Sequence, residues 1–114
     1  MDLVVGGMAS GKKEFVMREY GYAEAQIADG VIDARPVVYN LQDILRENPD
    51  DWLSLLPILR EKDVVVCNEV GSGVVPISKN EAIWREATGR LCVQLAKDAL
   101  RVVRVVCGLP TVVK

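Results

Sequence analysis

The chain has 114 residues, half of them hydrophobic and only 5% aromatic, with Val heavily used, so it is expected to form a single domain over residues 1–114 around one β-branched sheet core. Its formal net charge of -2, with Lys and Arg interleaved among Asp and Glu, offers no basic run for nucleic acid. The sequence contains no histidine, which removes imidazole from acid–base work, metal ligation and covalent phosphohistidine-type chemistry.

The cysteines Cys67, Cys92 and Cys107 are too few and too far apart for a zinc framework, and their odd number argues against a disulfide scaffold. A reducing cytoplasm fits that usage. The N-terminus reads as a strand, without a basic region and apolar core of a leader, and no apolar run approaches membrane-spanning length. The chain is therefore expected to be soluble and cytoplasmic, with no membrane partner.

In chain order, residues 2–5 form a first strand. It runs directly into Gly6-Gly7-Met8-Ala9-Ser10-Gly11-Lys12-Lys13, which has the G-x-x-x-x-G-K form of a phosphate-binding loop. In that arrangement backbone N–H groups wrap phosphate oxygens and the lysine, here Lys12, reaches the terminal phosphates. The next position normally supplies a Ser or Thr hydroxyl to Mg²⁺; here it is Lys13. The bland alternative is a glycine-rich turn whose following helix start favours anions. A helix to about Tyr20 follows, stopped by Gly21.

Residues 21–35 carry a poor signal and read as a loop, with a short helical turn at Ala23-Glu24-Ala25-Gln26. Residues 36–39 form a second strand, after which Asn40 is placed as a helix N-cap and Leu41, Ile44 and Leu45 as an apolar face. Asn48-Pro49 restarts the chain as N-cap and first-turn proline. Trp52, Leu55, Leu56 and Leu59 then recur at helical spacing, and Pro57 is expected to kink or end that helix.

Val64-Val65-Val66-Cys67 is a continuous apolar run, as in a central parallel strand. Asn68-Glu69 and the loop Gly71-Ser72-Gly73 with Pro76 follow. Ser78-Lys79-Asn80-Glu81 has the form of a capping box, opening a helix to about Leu100 with Trp84, Ala87, Leu91, Leu95 and Ala99 on its buried face. A last strand over 102–107 turns at 108–110 into Thr111-Val112-Val113. Strands alternating with helices predict an α/β fold with a mostly parallel sheet.

Ligands in such sheets bind beyond the carboxyl ends of strands. Gly6 to Lys12 and Asn68 to Gly73 both lie there, and they converge if their strands are neighbours. Glu69 would then hold Mg²⁺ directly or through water, or else accept backbone N–H bonds as a loop cap. Asn68 serves a ligand or stabilises the turn; Gly71 and Gly73 allow ligand approach or only a tight turn. Ser72 has no activating base nearby in sequence. Trp52 and Trp84 read as core or interface anchors before ligand platforms.

The stretch Asn68-Glu69-Val70-Gly71-Ser72-Gly73-Val74-Val75-Pro76 resembles a hallmark of the adenosylcobinamide kinase / adenosylcobinamide-phosphate guanylyltransferase family of cobalamin assembly. The N-terminal Gly6-Gly7…Ser10-Gly11-Lys12, the segment Trp84-Arg85-Glu86-Ala87-Thr88-Gly89-Arg90-Leu91 and the terminal Gly108-Leu109-Pro110 agree with it. The motifs cover roughly the first twenty and the last fifty residues, not the middle.

The resemblance implies a reduced P-loop NTPase-like fold, ATP or GTP as bound nucleotide, Mg²⁺, a corrinoid partner and a homo-oligomer, often a trimer. It maps Gly6, Gly7, Ser10, Gly11 and Lys12 onto the phosphate loop, with Met8, Ala9 and Lys13 expected at the nucleotide as members of the same loop although Lys13 replaces the family's hydroxyl, and Asn68, Glu69, Gly71 and Gly73 onto the second loop. Lys12 and Glu69 fall at catalytic positions, Glu69 at the metal. Guanylyl transfer in the family passes through a histidine of the middle segment that this sequence lacks, so that half of the chemistry does not carry over. The expectations are then a kinase for a cobinamide-like alcohol, a non-catalytic nucleotide- or corrinoid-binding paralogue, or an oligomerisation module on the same scaffold.

Overall fold

The apolar runs that lack strict alternation lie side by side at the centre of a sheet, where both faces are covered and no polar side is required. The computed structural model describes residues 1–70 and 78–114. Strands β1 (Asp2–Gly6), β4 (Val64–Asn68) and β5 (Arg101–Val106) form that centre, with β2 (Ile27–Asp29) and β3 (Val37–Tyr39) beyond β4 and β6 (Leu109–Val112) beyond β5. Among the described residues the order is β2-β3-β4-β1-β5-β6. All pairings are parallel except β5 with β6. The α/β class and the mostly parallel sheet read from the sequence are what the chain forms.

Helices cover the two faces. Helix α4 (Lys79–Asp98) packs Leu91 and Leu95 over Leu3, Val65, Cys67 and Val102, joined by α2 (Leu41–Ile44) and α3 (Trp52–Arg60). On the opposite face α1 (Lys12–Tyr20) lays Phe15 and Val16 over Val4, Val37, Val64, Val66, Val103 and Val105. The expected buried stripe of α4 is present, with Thr88 added to it. Its hydroxyl satisfies itself by donating to the Trp84 carbonyl at 2.8 Å, which is how a polar side chain enters a helix core without an orphaned group.

Several local expectations are corrected. Within residues 21–35 the expected short helical turn is present at Glu24–Gln26, but it leads into a strand, β2, whose Ile27 and Ala28 are buried. Three residues are too few for periodicity to register. Asn40 is the N-cap residue of α2 as expected, but it sits in the left-handed region at φ 56 and its side chain makes no capping bond. Its amide donates to Asp29 at 2.8 Å, tying β3's exit to β2, the local bonding that lets Asn adopt this conformation. Asn48 and Pro49 do restart the chain as N-cap and first-turn residue, again without a side-chain capping bond.

Pro57 does not end α3, which continues to Arg60. Pro57 and Leu53 both lie on the exposed side, where water can serve the carbonyl left without its donor. The expected cap of α4 is made: Ser78 accepts from the Glu81 N–H at 3.1 Å. The Glu81 carboxylate turns instead to Arg46 and Arg85. The expected end of α4 near Leu100 falls slightly earlier, and Pro110 sits in the outer strand β6, where a missing N–H is tolerated.

This packing has a direct test. Leu91→Ala removes a fully buried side chain and should lower the unfolding free energy by about 3 kcal/mol, whereas Val93→Ala, at a position 54% exposed on the same helix, should change it by less than about 0.5 kcal/mol. Urea unfolding followed by tryptophan fluorescence measures both, and equal losses would contradict the orientation of α4.

Candidate functional site

The site is assembled at the carboxyl edge of the central strands. Gly6 ends β1 opposite Asn68 of β4 in the parallel ladder, and the Glu69 N–H donates to the Gly6 carbonyl at 2.8 Å. The end of β1 and the first residues of the second loop, Asn68 and Glu69, therefore meet. A third segment joins them: the Gly108 N–H, in the turn after β5, donates to the Ser10 carbonyl at 2.7 Å.

Glycine is required at Gly6 because a Cβ there would stand 2.5 Å from the Val105 carbonyl oxygen and 2.6 Å from Ser10 Oγ. Gly11 adopts φ 93, and its missing side chain admits the Gly108 Cα. Ala9 is left-handed as well, at φ 55. Left-handed residues at alternate positions coil the loop, the device by which backbone N–H groups are turned toward one centre. Met8 stands away from this coil and is 85% exposed.

Lys12, the first residue of α1, is only 3% exposed. Its ammonium donates to the Gly7 carbonyl at 2.6 Å and lies 3.5 Å from Ser10 Oγ. Burial pulls its pKa down, opposed by the negative potentials of Cys67, Glu69 and Glu14. A cation held this way is short of compensating charge.

Lys13 is directed elsewhere. It forms an ion pair with Glu24, from the turn before β2, and stands 5.9 Å from the centre of the Tyr39 ring. The Glu24 hydrogen bond raises the Lys13 pKa, and Lys13 in turn lowers that of Glu24. A cavity of about 300 Å³ is bounded by Ala9, Ser10, Gly11, Lys12, Lys13 and Tyr39.

On the opposite side of the loop a cleft of about 350 Å³ includes Met8, Gln42, Arg46, Asn68, Glu69 and Trp84 in its walls. Asn68 is fixed through its backbone N–H, which donates to Gln42 Oε1 at 3.0 Å. Trp84 packs as an anchor, its Nε1 donating to the Gln42 carbonyl at 2.7 Å, and it also carries the Arg46 guanidinium 3.3 Å above its ring centre. The core reading of Trp84 and its place in a cleft wall thus coexist.

Glu69 is bound bidentately by Arg104 of β5, at 2.7 and 3.1 Å, and this pairing raises the Arg104 pKa. Arg104 escaped the sequence reading, although a single arginine inside Val102-Val103-Arg104-Val105-Val106 is the signal that would have found it. Gly71 and Gly73 lie outside the described residues.

At the positions where metal ligands are expected from the sequence, the structure shows charged pairs. The hydroxyl position is a cation, Glu69 is held by a guanidinium, and among the described residues no group of three or more His, Cys, Asp and Glu side chains is gathered for a metal. Among them too, no helix is long and apolar enough to cross a membrane.

The sequence model for cobinamide kinase / cobinamide phosphate guanyltransferase matches residues 24–113, more than three quarters of the chain. It spans the stretch before β4 that the motifs left unassigned, together with Glu69 and Arg104, and begins after the glycine-rich loop. A search of curated proteins returned no match.

The geometry at Gly6 predicts an asymmetry between adjacent glycines. Gly6→Ala drives a side chain into backbone and should cost about 2 kcal/mol or more, while Gly7→Ala, with nothing within 4 Å of the new carbon, should stay within about 0.5 kcal/mol. Thermal or urea unfolding of the pair decides, and a tolerated Gly6→Ala would refute the junction described here.

Proposed function

Since the chain belongs to the cobinamide kinase / cobinamide phosphate guanyltransferase family, which ties it to nucleotide-binding steps of cobalamin biosynthesis, we propose that it binds the phosphates of ATP or GTP in the Gly6 to Lys12 loop. The observation that carries this reading is the buried ammonium of Lys12, held against the loop's own carbonyl and hydroxyl. A phosphate entering the loop exchanges those partners for charge-assisted ones, and restores the charge balance that burial costs Lys12.

This binding is built for phosphate without a resident metal. Lys13 and Glu69, at the positions where a metal ligand would be sought, are each committed to an oppositely charged partner. The reading is therefore that of a nucleotide-binding paralogue, regulatory or a partner to an active member. Guanylyl transfer by a histidine is not proposed, because the sequence has none.

A second reading, phosphoryl transfer to a cobinamide-like alcohol, is favoured by the cleft that Met8 of the loop walls together with Asn68 and Glu69. An acceptor hydroxyl held there would stand beside the bound phosphates, with Glu69 available to orient it once released by Arg104.

Titration calorimetry with ATP and GTP, with and without Mg²⁺, tests the first reading. Binding indifferent to Mg²⁺ is expected, weakened about 10- to 100-fold by Lys12→Ala; absence of binding by either nucleotide rejects it. Transfer of labelled γ-phosphate to cobinamide above the Lys12→Ala background, rising in Lys13→Ser, would replace it by the kinase reading.

Self-association is proposed as well. Leu109 and Val112 of β6, with Val113 and Val106, are 48–71% exposed, and an apolar outer strand favours pairing with another chain. Sedimentation equilibrium should find an oligomer that Val112→Lys dissociates. A monomer at all accessible concentrations would remove this proposal without touching nucleotide binding.

A further inference from the structure

The cavity beside the loop has walls of two kinds. Ser10, Gly11 and Lys12 supply backbone and an ammonium, with Lys13 and Glu14 of α1 next to them, whereas Tyr39 supplies an aromatic ring. Alternation along β3 places that ring. Val38 belongs to the core beneath α4, while Val37 and Tyr39 lie on the α1 side, and Tyr39 is the last residue of its strand and half-buried. Since β3, β4 and β1 are parallel, it comes to the same carboxyl edge as the loop.

The fold leaves this ring largely uncommitted. Tyr20 and Tyr22 are tied through their hydroxyls to Asp2 and Asp63, but the Tyr39 hydroxyl makes no hydrogen bond among the described residues. Lys13 Nζ stands 5.9 Å from the ring centre, the outer limit of attraction between a cation and an aromatic face, and its ion pair is with Glu24. Trp84, the aromatic in the wall of the cleft across the loop, is committed by contrast: it is 7% exposed, and Arg46 covers its ring at 3.3 Å. At about 300 Å³ the Tyr39 cavity is at the lower end of the range of small-molecule sites, which join apolar or aromatic walls to a few placed polar groups.

Given phosphates in the Gly6 to Lys12 loop, the reading on which this step rests, we propose that Tyr39 is the stacking platform for the base of the bound nucleotide. Loop N–H groups and Lys12 hold the phosphates, and the base lies against the Tyr39 ring in the same cavity. Every base has a π face, so stacking on an aromatic ring adds affinity without choosing among bases. Tyr39 is therefore the residue that favours a nucleotide over a bare polyphosphate, and it treats ATP and GTP alike.

The ring carries this role, and the hydroxyl does not. Phenylalanine at this position keeps both the flat face and the packing on the α1 side, whereas leucine keeps apolar packing and loses the face.

Titration calorimetry of the full chain compares inorganic tripolyphosphate with ATP and GTP, in the unsubstituted protein and in Tyr39→Ala, Tyr39→Leu and Tyr39→Phe. The quantity read is the affinity for each nucleotide relative to tripolyphosphate. It should fall about 5- to 100-fold in Tyr39→Ala and Tyr39→Leu and stay within about 2-fold in Tyr39→Phe, with tripolyphosphate binding itself unchanged. Unchanged tripolyphosphate binding also shows that the loop is intact, and Tyr39→Leu serves if Tyr39→Ala does not fold. A relative affinity that is the same in every variant, one that drops as far in Tyr39→Phe, or a loss of tripolyphosphate binding in parallel with that of the nucleotides overturns the proposal while leaving phosphate binding by the unsubstituted loop in place. If the unsubstituted chain binds neither tripolyphosphate nor nucleotide, the loop reading fails and this one with it.

Discussion

The carboxyl edge of this sheet depends on there being no side chain at Gly6. Its backbone stands where a Cβ would collide with the Val105 carbonyl on one side and the Ser10 hydroxyl on the other. That closeness lets three chain segments lock by backbone bonds alone, Glu69 N–H to Gly6 and Gly108 N–H to Ser10. Lys12 is a consequence. Once the loop is pinned between β4 and the turn after β5, the first residue of α1 has nowhere to put its ammonium except inside the coil, where it satisfies itself on Gly7 and Ser10. Because those bonds are made by loop atoms, the same coil that buries the charge also supplies its neutral partners.

How much of this was legible follows from what each feature rests on. The central strands could be read because a two-faced strand needs only a continuous apolar run, and residues 64–67 are one. The loop could be read because its glycines answer to backbone geometry, which is local. By contrast β2 is buried through just Ile27 and Ala28, and its existence is decided by β3 offering a ladder edge. Asn40 could be placed as the N-cap of α2; its left-handed backbone and the bond of its amide to Asp29, eleven positions away, could not. The partners of Lys13 and Glu69 are likewise distant in sequence, and no spacing rule connects Glu24 to Lys13 or Arg104 to Glu69.

Those distant partners matter more for function than for stability. The Arg104–Glu69 and Lys13–Glu24 pairs are open to solvent, where screening and the entropy of long side chains cancel most of the attraction. Arg104 reaches over β1 from β5, and Lys13 reaches out of α1 toward β2. The sheet, by comparison, is held by Val4, Val64, Val65 and Val103, all fully buried. The charges around the loop are therefore free to change partner while the fold stays as it is.

That freedom bears on the meaning of Lys13. A hydroxyl at this position would contribute an oxygen to a cation; an ammonium instead competes for the same phosphate oxygens a cation would bridge. Glu24 holds it, and Glu69 is likewise held by Arg104. If a nucleotide is the ligand, each carboxylate is a rival anion to its phosphates. A polyphosphate has the advantage, since it offers more charge and a geometry that guanidinium groups grip with paired bonds. Taking Lys13 or Arg104 as a partner would release Glu24 or Glu69. On that condition Lys13 would link phosphate occupancy to the freeing of Glu24, and Arg104 to the freeing of Glu69, which lies at the wall of the neighbouring cleft.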